Sequence, residues 1–294
     1  MLALSRTSFI TRLAAYVALT KPRIIELLLV TTVPTMFVAD RGVPSIWLMV
    51  ATVIGGSLAA GGANAINMVI DRDIDRLMER TLHRPLVTGV VTPIAAMVFA
   101  LSLEVGAFIW LALTVNILSA VLAISATAFY VIVYSMWLKR ISARNIVIGG
   151  AAGAVPVLVG WSAVTGSLDW PPVILFLVIF YWTPPHFWAL AIRYRNDYET
   201  AEIPMLPVVT SLETTARRIL FYTAILVIVT IIFSPIAGMG AIYLTVSLVL
   251  GAIFIFLAMS IRFSPGERSA MRLFHYSITY VTLLFGSMIV DVLL

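Results

Sequence analysis

Cysteine is absent from all 294 residues, which excludes both disulfides and thiolate metal centres. Charged residues are scarce, at 11% against 61% hydrophobic, and the mean hydropathy of +1.05 lies far outside the range of water-soluble domains. Acidic residues are missing from the first 21 positions, an Arg-containing stretch that reads as an amphipathic segment on a membrane surface, with no cleavable signal evident. Also missing is any polar stretch long enough to build a soluble core of its own. The longest, 71–92 and 193–218, are loops in size, and no short-period repeat is visible.

What the chain has instead is long apolar runs. They cover Ile24–Ala39, Ser45–Ile70, Pro93–Leu113, Ile117–Trp137, Asn145–Thr165, Pro172–Ile192, Ile219–Ile236, Ala241–Ser260 and Leu273–Leu293. Each can cross a bilayer, so the expectation is an all-α integral membrane protein of nine helices, one domain over 1–294. The thinnest separations fall between spans three and four and between seven and eight.

Basic residues orient these spans. Arg6, Arg12, Lys21 and Arg23 precede the first; Arg72, Arg76, Arg80 and Arg84 follow the second; Lys139, Arg140 and Arg144 follow the fourth. Arg193, Arg195, Arg217 and Arg218 follow the sixth, and Arg262, Arg268 and Arg272 the eighth, leaving Arg41 alone on the other side. The positive-inside rule then places the N-terminus and these loops in the cytoplasm and the C-terminus outside. The net charge of +5 is thus a topology signal, helped by anionic lipid, and calls for no nucleic-acid partner.

Where the second span meets charge, Asn67, Asp71 and Asp75 recur every four residues, with Asn64 on the same stripe. On an α-helix each such step adds about 40° of rotation and about 6 Å of rise, so the side chains form one ladder while Asp73 points away. Hard oxygen donors in a row suit Mg²⁺, which keeps several waters and bridges carboxylates to substrate phosphates. A magnesium-diphosphate site at the cytoplasmic surface is the expectation, with Asn67, Asp71 and Asp75 as ligands.

A second cluster follows span six. Thr183-Pro184-Pro185 is a helix-start signal lying inside a span, which predicts a kink or a broken helix there. From His186, offsets of seven and eleven put Arg193 and Asp197 on one face, able to oppose the ladder and complete the metal site. Arg72, Lys139, Arg193 and Arg195 are the candidate diphosphate clamps, although cations here are also expected from topology alone. Glu104, in mid-span three, is either functional or a protonated structural residue. Glu26 reads as interfacial, His83 as a loop residue and His275 as interfacial.

The ladder, the nine spans and the second aspartate resemble the UbiA superfamily of intramembrane prenyltransferases. The strings Thr20–Arg23, His83–Leu86, Asn145–Ala154, Trp182–Ala191, Asp197-Tyr198 and Pro204–Pro207 narrow the resemblance to members that prenylate haem. The last three spans match only in hydropathy and count. The resemblance implies two pseudo-related halves around a central lipid-lined cavity in a prokaryotic cell (inner) membrane. It implies transfer of the farnesyl group of farnesyl diphosphate, with Mg²⁺, to a vinyl group of haem b, then addition of water and release of diphosphate. Asn67, Asp71, Asp75 and Asp197 become ligands of metal and diphosphate, His186 a contact for haem, and a haem-o-oxidising enzyme or cytochrome oxidase assembly a candidate recipient of product. One departure stands out: Ala201 occupies the position four after Asp197 where the superfamily has another aspartate, with Glu202 beside it.

Two alternatives stay open at this level. A quinone precursor or other aromatic ring could replace haem as acceptor. A transporter would also contain broken helices and acids, but its site belongs near the bilayer midplane, whereas these carboxylates fall at helix ends.

Overall fold

The computed structural model describes residues 9–294; Arg6 and the start of the N-terminal segment lie outside them, as do the side chains of residues 23, 24, 27 and 28. In chain order the helices are α1 (Phe9–Thr20), α2 (Pro22–Asp40), α3 (Ile46–Ile70), the short α4 (Arg72–Asp75), α5 (Pro93–Thr114) and α6 (Ile117–Ala128). After α6 comes a π-helical segment (Phe129–Leu138) that ends in α7 (Lys139–Ile141). Then follow α8 (Asn145–Thr165), α9 (Trp170–Arg193), α10 (Arg195–Thr200), α11 (Leu206–Val209), α12 (Leu212–Ala237), α13 (Ala241–Phe263) and α14 (Glu267–Leu293). No strand occurs among the described residues.

Eight of these rods are long and apolar enough to cross a membrane, the α6–α7 rod being taken as one. The 19-residue α2 packs beside them against α8 and α14. Apolar side chains turned outward, such as Ile94, Val98, Leu101 and Val105 on α5, would be aggregation sites in water and are the normal finish of a lipid-facing surface. The protein is a multi-pass integral membrane protein.

Local chemistry explains the breaks. Thr92 accepts from the backbone N–H of Ala95 and Pro93 opens α5, where its missing donor costs nothing. The narrow gap between α5 and α6 is made by Asn116, whose side chain caps the backbone N–H of Ser119 at 2.8 Å. The other narrow gap is made by Gly238, left-handed at φ 58, which stops α12. Several helices outrun their apolar runs: α12 begins at Leu212 and α14 at Glu267, because polar residues continue a helix once it leaves the hydrocarbon.

The expected break at Thr183-Pro184-Pro185 does not occur, since α9 continues through it. Thr183 does not cap; its hydroxyl donates back to the carbonyl of Ile179 at 2.8 Å. Thr183, Pro184, Pro185 and His186 are all buried, and packing against neighbouring helices keeps the stretch one helix. The ladder is less continuous than expected: α3 ends at Ile70 and Asp71 sits at φ −86, ψ 8 before α4 begins. Backbone bonds from Asp71 N–H to Asn67 and from Asp75 N–H to Asp71 carry the four-residue spacing across that joint.

Small residues let the backbones close in. A Cβ on Gly160 would lie 2.6 Å from the Thr32 carbonyl, so α8 and α2 touch backbone to backbone. A Cβ on Gly62 would lie 2.6 Å from Glu104 Oε1, which seats that mid-span carboxyl between α3 and α5, where Thr127 also donates to it.

One end of the bundle joins the 71–92 segment to α8 and α10 through a buried cluster that includes Ile74, Met78, Ile146, Tyr198, Ile203 and Met205, while α1 packs on the same segment through Ala15, Leu19, Leu86 and Val91. The other end carries Arg41 against the Gly238 carbonyl, and Asp291 accepting from the N–H groups of Gly240 and Tyr243.

Candidate active site

The centre of the first end is Asp71, which has no exposed surface. Its Oδ2 accepts from Asn67 Nδ2 at 2.7 Å and pairs with the Lys139 ammonium. Its Oδ1 is buried without any hydrogen-bond partner. A carboxylate oxygen left so is costly unless something outside the protein occupies it. Asn67 is engaged too, donating to Ser135 Oγ at 3.0 Å and accepting from Lys21 Nζ at 3.0 Å, which leaves one lone pair on its Oδ1.

The π-helical segment delivers two of these partners. Its wider winding places Ser135 against Asn67 and Lys139, immediately after it, against Asp71. Such windings are usually single turns found at functional sites; this one extends over ten residues.

Lys21 comes from the joint between α1 and α2 and has φ 51, a left-handed conformation unusual for lysine. Asn64 fastens that joint by donating to the Thr20 carbonyl at 3.1 Å. Burial, then the neighbouring cations Arg84 and Lys139, lower the Lys21 ammonium to about 7, against the weaker pull of Asp71 and Asp75. An arriving anion would relieve that crowding.

Asp75, also buried, is held by Arg84 Nη1 at 2.7 and 2.6 Å to its two oxygens. Asp197 is half-buried, 3.5 Å from the backbone N–H of Arg80, whose guanidinium binds Tyr198 Oη and lies over the rings of Tyr194 and Tyr198. Arg80 thereby ties the 71–92 segment to α10. Beside it a cavity of about 420 Å³ is lined by Lys21, Arg80, His83 and Arg84 with Met68 and Ala15.

The structure thus brings Asn67, Asp71 and Lys139 together, with Asp75 and Asp197 at their margins. Among the described residues no three His, Asp or Glu side chains converge as a preformed metal cluster. Arg72 is half-buried with no salt bridge there, and Arg195 keeps a buried, unpartnered Nε. Arg193 points elsewhere, toward Glu267 at 3.5 Å. His186 packs against α14, with Nδ1 2.7 Å from Ser277 Oγ.

Sequence reasoning passed over Lys21, Arg80, Arg84 and Ser135. For Lys21 and Arg84 a signal existed, because both sit in strings that carry the family resemblance. Ser135 had none.

A helical membrane bundle with this polar end is the architecture of an intramembrane prenyltransferase, and the comparisons place it. Residues 28–283 match the UbiA prenyltransferase family, to which the chain belongs. It is 54% identical over 286 residues to a protoheme IX farnesyltransferase of Parafrankia sp., covering 96% of this chain and 91% of that one. It is 50% identical over 293 residues to the protein of that name from Streptomyces coelicolor, covering 98% and 93%. Among solved structures it superposes with TM-score 0.79 on a digeranylgeranylglyceryl phosphate synthase, 18% identical, over 96% and 98% of the two chains. A UbiA homolog from Archaeoglobus fulgidus bound to DMAPP and Mg²⁺ superposes with TM-score 0.66 at 18% identity, over 94% and 99%.

Proposed function

We propose that this enzyme transfers the farnesyl group of farnesyl diphosphate to a vinyl group of protohaem IX, with addition of water, giving haem o and diphosphate. The acceptor reading is carried by the similarity to protoheme IX farnesyltransferases along nearly the whole chain. The donor reading is supported by the site: a buried acidic centre ringed by Lys21, Arg84 and Lys139, beside a cavity that opens on basic side chains.

Mg²⁺ fits these residues, because Asp71 Oδ1 is a buried hard oxygen with no partner. Asp71 and Asn67 would hold the ion, with Asp75 and Asp197 as further ligands directly or through water. When bound it would neutralise charge developing on the leaving oxygens of the diphosphate. The protein's own cations would do the same work, with Lys21, Lys139 and Arg84 crowded at the acidic centre and Arg72 and Arg195 as further candidates. A lipid-lined cavity between the helices would shelter the allylic cation from bulk water until it meets the porphyrin.

The topology belongs to the same proposal. With α2 as a further crossing the chain spans nine times, the polar end is cytoplasmic, and the end holding Arg41 and Asp291 is outside, in a prokaryotic cell membrane. The whole chain works as one unit, with 71–92 and 193–218 as its active-site loops. The apolar stripe Phe9, Ile10, Leu13 and Val17 on α1 suits a position along the interface. Haem o would then pass to a haem-o-oxidising enzyme or to oxidase assembly.

The test is product identity. Purified protein given haem b, farnesyl diphosphate and Mg²⁺ should form haem o, read by chromatography of extracted haems. Prenylation of 4-hydroxybenzoate with haem b untouched would overturn the acceptor.

A further inference from the structure

Building on that reading, we propose that the porphyrin docks along the seam between α9 and α14, with its iron at His186 Nε2 and its propionates at Arg193, Arg268 and Arg272. The iron assignment follows from counting hydrogens. Ser277 Oγ lies 2.6 Å from the Phe274 carbonyl and 2.7 Å from His186 Nδ1. Those two hydrogen bonds need two hydrogens; the carbonyl brings none and the hydroxyl brings one, so the other sits on Nδ1. In a neutral imidazole Nε2 is then a bare lone pair, suited to a metal and unable to donate to a carboxylate. Among the described residues no carboxylate pairs with the ring, and its one hydrogen bond is the one at Nδ1.

The ring cannot turn away from this arrangement. Trp182 stacks on one face with centroids 4.2 Å apart and Phe274 on the other at 4.6 Å, while Trp182 Nε1 donates to the Ser277 carbonyl at 2.8 Å. Ser277 is therefore a positioning residue: it acts through His186 by fixing its tautomer and its plane.

The propionate end lies up the same seam. Arg193 is seven residues beyond His186 on α9, about 10 Å along the axis and on the same face. That rise is comparable to the reach from the centre of a porphyrin to its propionate carboxylates. There Arg193 borders a second cavity, of about 470 Å³, with Arg268, Arg272 and His275 of α14. Glu267, paired with Arg193 at 3.5 Å, is the one carboxylate in it and leaves the group cationic. Two negative charges at one edge of a flat apolar ligand match the three guanidinium groups that line this cavity where α9 meets α14. Arg193 thus serves the acceptor, and the diphosphate is left to Lys21, Lys139 and Arg84.

The experiment uses full-length protein in nanodiscs of zwitterionic lipid, titrated with haem b, haem b dimethyl ester and iron-free protoporphyrin IX. Wild type should bind haem b at least tenfold tighter than its ester. Arg268→Gln with Arg272→Gln, both exposed, should erase that difference without moving the KM for farnesyl diphosphate. His186→Ala and Ser277→Ala should change the Soret position and spin state of bound haem and leave protoporphyrin IX affinity unaltered. Ser277→Thr, which keeps the hydroxyl, should retain the wild-type spectrum. An unchanged haem spectrum in His186→Ala, or undiminished ester discrimination in the double arginine variant, overturns the assignment. So does an arginine phenotype seen only with anionic lipid, which would make the groove a headgroup site. Wild type that neither binds nor converts haem b would instead overturn the proposed function.

Discussion

Lys139 and Asp71 meet as an ion pair between two helices that reach the same depth from different parts of the chain, and Asp71 has no contact with solvent. Removing one partner of such a pair strands the other charge, at a cost of about 3 kcal/mol. Lys139→Met should lower the unfolding midpoint in detergent and raise the KM for farnesyl diphosphate. Adding Asp71→Leu should recover much of the stability and none of the activity. A stable, fully active Lys139→Met protein would show that the pair is peripheral.

Asp71→Asn keeps shape and volume while deleting the charge beside the orphaned oxygen. Turnover should fall by roughly 10²- to 10³-fold, the loss typical when one preorganised electrostatic group is removed from a site. The protein should still insert and resist heat, and excess Mg²⁺ should restore little. Haem o formation over a magnesium titration reads this directly.

Arg84→Ala should act on both cofactor and donor, since it frees the buried Asp75 and removes a cation from the edge of the cavity. The expected outcome is a weaker apparent affinity for farnesyl diphosphate, with the haem dissociation constant unmoved. A parallel loss of haem binding would argue against separate basic regions for the two substrates.

Gly160→Ala tests the packing rather than the chemistry. The added methyl would meet the Thr32 carbonyl at 2.6 Å, and backbone cannot step aside as a flexible side chain can. A loss of about 1–3 kcal/mol is expected from such overpacking, measured by thermal unfolding in detergent. Gly153→Ala on the same helix, where a Cβ meets nothing within 4 Å, is the matched control and should be nearly silent.

Asp73 and Arg140 form a forked pair at 2.7 and 2.8 Å, but at the surface. The Arg140 hydrogen bonds hold the Asp73 carboxyl down at about 2, against the opposing effect of burial. The folded pKa lies below the unfolded one, so its stabilisation is present above about pH 4 and fades as pH falls toward 2. Exposure keeps it small: Arg140→Gln should cost less than about 1 kcal/mol at neutral pH, with little change in activity.

Composition and charge made the architecture legible. Apolar runs located every long helix, and even the narrow α5–α6 and α12–α13 gaps proved to be turns, with Asn116 and Gly238 as the local stops. The Asn67–Asp71 step was legible because helical spacing is a local property. Lys139 was named as a clamp, but its pairing with Asp71 was not legible, nor were Lys21 and Ser135, since these reach the site through tertiary packing and the π-helical winding has no simple sequence signature. Of the kink or broken helix that local reasoning offered at Pro184-Pro185, the break does not occur, because neighbours keep the helix continuous. Arg193 shows the same limit: helical phase correctly aligned it with His186, but phase alone could not say which wall they face.

The ten π-helical residues from Phe129 to Leu138 behave like a slack thread in a screw. An α-helix turns about 100° per residue, so taking one residue out of that segment would re-tighten it and swing everything beyond by a comparable angle. The membrane anchor would survive, because the rod stays apolar and long. Lys139 would leave Asp71, and chemistry would be lost through phase alone, with every side chain of the site still in the chain.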